Sequence, residues 1–93
     1  MRRRDKIFQI IIDNFNPLKG YCSLTNKEFI ANLKLVEIDE GKTRVITPQG
    51  IASLLKTLER KEKIYLIYKS RARHICLSMS QKQALSYYEN NSK

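Results

Sequence analysis

The amino-acid sequence predicts an α+β domain in which three helices precede a β-hairpin and a fourth helix follows it. Two observations carry that reading. Threonine-led helix starts stand at Thr25 and Thr47, and two runs of branched and aromatic residues, Ile64–Tyr68 and Ile75–Met79, flank a basic six-residue segment. A chain of 93 residues has room for one compact core and no second domain.

The first helix is expected over residues 5–15. Ile7, Phe8, Ile10, Ile11, Ile12 and Phe15 fall in one broad arc at helical period, and Asn16-Pro17 with Gly20 closes the segment. That arc spans about 200°, wider than the ~100° stripe one buried face requires. The surplus, Ile7 and Ile10, is therefore available for a partner. Thr25-Asn26-Lys27-Glu28 has the form of a capping box, with Phe29, Ile30, Leu33 and Leu35 behind it. A second helix of about two turns, Asn26 to Leu33, follows.

Val36 and Ile38 before Asp39-Glu40-Gly41-Lys42, with Thr43, Val45 and Ile46 after it, suggest a small extra hairpin between helices two and three. A polar loop with incidental β-branched residues would read the same way. Thr47-Pro48 then starts helix three, since threonine caps and proline at the first helical position gives up no needed hydrogen bond. Ile51, Leu54, Leu55 and Leu58 make its buried stripe, while Gln49, Ser53, Lys56 and Arg60 share another face. The two strands carry a basic tip between them, Lys69-Ser70-Arg71-Ala72-Arg73-His74. A second capping box at Ser80-Gln81-Lys82-Gln83 opens a final helix over about 80–90, with Ala84, Leu85, Tyr87 and Tyr88 on its apolar side.

Charge narrows the function classes. Lysine and arginine number 18 against 9 acidic residues, a balance that suits an anionic partner, nucleic acid before a membrane surface. Residues 47–93 hold 9 basic and 3 acidic side chains against 9 and 6 in residues 1–46. The second half is the half that faces the anion. The longest apolar run, Ile10-Ile11-Ile12, is far short of the ~20 residues a membrane span needs. With no apolar signal region and two cysteines, Cys22 and Cys76, far apart in sequence, a cytoplasmic protein with free thiols is expected.

Catalytic and metal chemistry find no support. The one histidine and two distant cysteines cannot close a zinc site, although His74 and Cys76 share a strand face. There is no phosphate-cradling glycine loop and no nucleophile elbow, the glycines standing singly at positions 20, 41 and 50. Glu28 reads as a cap and Glu37 as a surface charge. No enzyme activity and no cofactor are expected.

The order helix, helix, helix, basic hairpin resembles the winged helix-turn-helix arrangement. Ser23-Leu24-Thr25-Asn26-Lys27-Glu28-Phe29-Ile30-Ala31-Asn32-Leu33 is similar to the second helix of many such DNA-binding domains, and Ile51–Ile64 resembles their recognition helix with its exit into the wing. The likeness covers roughly residues 5–79, and its link Val36–Ile46 is longer than the family's three- or four-residue turn. Within that group the chain looks most like small plasmid- and phage-encoded proteins of replication initiation, partition or conjugative transfer. The resemblance implies sequence-specific binding of double-stranded DNA, without catalysis, at an origin, centromere-like site or operator. Transcriptional repression and docking to an acidic protein are the alternatives.

On that resemblance, Thr47, Gln49, Gly50, Ser53 and Lys56 are the positions that would meet base edges, with Gln49 suited to adenine. Lys69, Arg71, Arg73 and His74 on the wing suit phosphates or a narrow minor groove. Arg2, Arg3 and Arg4 would form a basic arm over residues 1–4. Ile7, Ile10, Tyr87 and Tyr88 would join two copies, since small readers gain by pairing half-sites. Tyr65 and Tyr68 are expected to pack in the hairpin rather than to stack on bases.

Overall fold

A computed structural model describes residues 2–41, 45–77 and 81–91. Within them the chain runs α1 (Arg3–Asp13), α2 (Asn26–Ile38), α3 (Pro48–Arg60), β1 (Ile64–Lys69), β2 (Ala72–Leu77) and α4 (Gln81–Asn91). It is an α+β fold: three helices wrap one core, β1 packs against α3, and α4 lies on the hairpin.

The broad apolar arc of α1 is resolved by burial. Ile7, Ile10 and Ile11 enter the core with Phe29, Leu33, Ile51, Leu55 and Leu58, while Ile12 stays exposed. Asn16 then makes a tight turn in which its side-chain oxygen accepts from the Leu18 and Lys19 amides, and Gly20, at φ 83°, completes the reversal. The chain emerges beside β2. Cys22 and Ile75 exchange backbone hydrogen bonds of 2.9 and 2.8 Å, which ties the segment ahead of α2 to the hairpin.

The capping box at Thr25 forms as the sequence predicts. The Glu28 amide donates to Thr25 Oγ1 at 3.2 Å, and the Thr25 amide donates to the Glu28 carboxylate at 3.0 Å. The helix it starts is longer than expected, ending at Ile38 rather than Leu33, so Val36 and Ile38 are helical and the small hairpin does not begin there. Residues 42–44 lie outside the described set. The physical reason is a tertiary contact: Glu37, buried, receives two hydrogen bonds from the Arg3 guanidinium at 2.9 and 3.0 Å and one from Lys6 at 3.2 Å. Lys6 also bonds Glu40. These ties outweigh the few tenths of a kcal/mol by which β-branched residues disfavour helix.

Thr47 caps α3 through the Gly50 amide at 3.1 Å, with Pro48 in the first turn. A side chain at position 50 would meet Ile46 Cγ1 at 2.9 Å, so glycine lets the incoming loop lie against the helix. In the hairpin the register pairs Ile64 with Leu77 and Lys69 with Ala72, leaving a two-residue turn at Ser70-Arg71. Both turn residues have positive φ, 49° and 68°. This sense of turn matches the strand twist, and it is built here from two residues that adopt it less readily than glycine or asparagine. The tip is thus tighter than the six-residue segment read from sequence, because Arg73 and His74 belong to β2.

Candidate nucleic-acid interface

The outward face of α3 is built by the same periodicity that buries Ile51, Leu55 and Leu58. Gln49, Ser53, Lys56 and Arg60 are all exposed on it. Thr47 is exposed too, but its hydroxyl accepts the Gly50 amide. It serves the helix as a cap, which leaves Gln49, Ser53 and Lys56 as the free polar groups of the first turns.

Beside this face lies a cleft of about 610 Å³ that the sequence did not disclose. Its walls are the start of α2 (Ser23 to Lys27), Pro48 at the start of α3, and Arg71, Ala72 and Arg73 from the hairpin. Two helix N-termini therefore open at one place beside Lys27 and the two arginines; the α3 end adds partial positive charge, while the α2 end is partly offset by the Glu28 carboxylate of its capping box. No aspartate or glutamate lines it among the described residues. Ser23, Asn26, Lys27 and Pro48 were legible as helix-start residues, but their convergence depends on packing between α2 and α3, which no local pattern encodes.

The four basic positions of the hairpin divide. Lys69 and Arg71 are exposed, with the Lys69 ammonium 5.8 Å from the Tyr88 ring centre. Arg73 is half-buried and turned inward: its guanidinium donates to Asn26 Oδ1 at 2.7 Å and to the Leu24 carbonyl at 2.8 Å, over the Phe29 ring. His74 stacks on Tyr21 with ring centres 3.9 Å apart, and its Nδ1 lies 2.6 Å from the Tyr88 hydroxyl. Burial, with Lys69 and Lys19 nearby, lowers its pKa below the ordinary imidazole value. His74 therefore faces α4 and the Tyr21 turn rather than the cleft.

The other expected sites are redistributed. Arg2 is exposed, whereas Arg3 and Arg4 already belong to the first turn of α1 and Arg3 is bound to Glu37, so residues 2–4 are not a free arm. Glu37, read as a surface charge, is a buried anchor whose pKa is lowered first by Arg3 and then by Lys6, against its own burial. Of the residues expected to join two copies, Ile7, Ile10 and Tyr88 are buried within the chain, and the Tyr87 hydroxyl donates to the Pro17 carbonyl at 3.3 Å. Their apolar surplus is satisfied internally. Large apolar side chains are exposed elsewhere, at Leu35, Ile38 and Val45. Tyr65 packs against the pair Cys76 and Tyr88, while Tyr68 is exposed at 69%.

No helix among the described residues is long and apolar enough to cross a membrane. Comparison with known proteins finds no family model, no curated protein and no solved structure that matches this chain.

Proposed function

We propose that this chain is a winged helix-turn-helix protein that binds double-stranded DNA without catalysis, reading bases with α3 and holding phosphates with the cleft and hairpin tip. The observation that carries the reading is the cleft itself. Two helix N-termini, Lys27 and the exposed Arg71 converge on a surface next to the start of α3, with Glu28 engaged in the α2 cap rather than lining it. Helix N-termini and cations together favour phosphate oxygens, and an exposed Gln-Ser-Lys face on the neighbouring helix offers the donors and acceptors that base edges need.

In this arrangement Gln49 and Ser53 face bases, Lys56 and Arg60 follow the same helix face toward the backbone, and Arg71 with Lys69 contacts the flanking groove. The link from α2 to α3, residues 39–47, is longer than the usual helix-turn-helix turn. Ile46, near its end, lies against Gly50 of α3. A role in replication, partition, transfer or operator control for a mobile element follows from the resemblance of the sequence and shares this same interface.

Selection of bound fragments from random duplexes tests the proposal. One enriched motif, lost on Gln49→Ala, is the expected result, and a motif repeated at one helical turn would mean that two copies bind together. Failure to retain any duplex even at low salt would overturn the reading in favour of an acidic protein partner.

A further inference from the structure

Four cations crowd the hairpin and the N-terminus of α2, and they do not share one task. Arg73 uses its two terminal nitrogens on Asn26 Oδ1 and the Leu24 carbonyl, across 47 and 49 positions of sequence. Its Nε is shielded from solvent and makes no hydrogen bond. Its Cζ stands 5.6 Å from the centre of Phe29, a ring wholly buried in the core. Asn26 is the first residue of α2 and Leu24 immediately precedes its cap. The partners of Arg73 are therefore the wall of the cleft, whereas Arg71, two residues away, is exposed at the turn and Lys27 is exposed across from it.

We propose that Arg73 is a positioning residue that latches the hairpin to the N-terminus of α2, setting the width of the cleft while Arg71 supplies the charge that meets phosphate. The inference rests on the DNA-binding reading and divides its labour. A guanidinium is suited to the task because its fork satisfies a side-chain and a backbone acceptor at once, in fixed planes, which an ammonium cannot reproduce. The turn above it needs such a latch. Ser70 and Arg71 both hold positive φ, and the other ties from the hairpin to the segment ahead of α2, the Tyr21–His74 ring stack and the Cys22–Ile75 bridge, lie farther along β2 from the turn.

The test compares Arg73→Ala, Arg73→Lys and Arg71→Ala at a temperature where each is fully folded by circular dichroism, titrating a duplex carrying the preferred site over a salt series. A residue that contacts phosphate contributes about 0.9 to the slope of log affinity against log salt. For a latch, Arg73→Lys weakens binding about as much as Arg73→Ala, on the order of tenfold, and both keep the wild-type slope. Arg71→Ala, by contrast, flattens it by about 0.9. Asn26→Ala gives a similar loss, and the Asn26→Ala/Arg73→Ala pair loses no more than either alone. Wild-type behaviour of Arg73→Lys together with a flattened slope for Arg73→Ala would overturn the latch and make Arg73 a direct contact. So would unchanged affinity in both variants. Amide exchange in the free protein separates this from failure of the DNA reading. Faster exchange at Ser70–Ala72 in Arg73→Lys but not in Arg71→Ala supports the latch even where no duplex is bound, and unaltered exchange counts against it.

Discussion

Two stretches of this chain look alike in sequence and differ in structure: Arg2-Arg3-Arg4-Asp5-Lys6 at the start and Lys69-Ser70-Arg71-Ala72-Arg73 at the hairpin. Both are dense in cations. In the first, Arg3 and Lys6 are consumed by Glu37, with Glu40 as a second acceptor for Lys6, and Lys6 is only 2% exposed. In the second, no ion pair to an acid forms among the described residues, and the inward arginine meets neutral oxygens instead. Charge density along a sequence therefore does not measure charge available to a partner. What decides is whether folding delivers an acid, and here it delivers one to the N-terminal stretch only.

The largest effect expected from this contrast is on stability. Glu37→Ala removes both hydrogen bonds that Arg3 makes to this carboxylate and one of the two acceptors of Lys6, which keeps Glu40, and thermal unfolding should fall by on the order of 10 °C. The same anchor makes the fold acid-sensitive. Glu37 titrates below its ordinary 4.5 in the folded chain, so its contribution is complete above that value and is lost as pH falls through the lowered one. Chemical denaturation at pH 7 and at pH 3.5 should show the difference between wild type and Glu37→Gln shrinking in acid. An equal gap at both values would mean that Glu37 is not the anchor.

The next effect is on recognition. Gln49→Ala should cost about 1–3 kcal/mol at the preferred duplex and little on random duplex, as measured by competition binding. Equal loss on both would assign Gln49 to backbone contact. Arg2→Ala comes lower on the scale, since that side chain is exposed and makes no hydrogen bond or ion pair among the described residues. A change in stability within about 0.5 kcal/mol is expected.

The smallest effect concerns the end of the hairpin strand. His74 is held below its ordinary pKa by burial and by Lys69 and Lys19, so the unfolded chain takes up the proton first as pH falls. Stability is then complete above about 6.5 and declines through the lowered folded value. His74→Gln should remove that slope between pH 7 and 5. A wild-type slope retained in the variant would assign it to another group.

These expectations follow closely how the fold was written. The starts of α2 and α3 were legible because capping is local: Thr25 with Glu28 and Thr47 with Pro48 are read within four residues. The α3 face was legible for the same reason, since periodicity alone places Gln49, Ser53 and Lys56 opposite Ile51, Leu55 and Leu58. The end of α2 was not, because the residue that extends it, Glu37, answers to Arg3 and Lys6 more than thirty positions earlier. The roles of Arg73 and His74 were hidden likewise. Their partners Asn26 and Tyr21 lie about fifty positions back, and a basic turn reads identically whether its arginines point out or in. The wide arc of α1 invited a second copy, yet α2 and α3 already fill it.

The most direct measurement sets the two cationic stretches against each other on one duplex. Fluorescence anisotropy over a salt series should give a slope that flattens by about 1.8 in Lys56→Ala/Arg71→Ala, one increment of about 0.9 for each phosphate contact removed. Arg3→Ala, measured where it remains folded, should keep the wild-type slope, because its charge is already neutralised by Glu37. A double variant with wild-type affinity and slope, or a slope that falls instead in Arg3→Ala, would contradict DNA binding by the cleft and the α3 face.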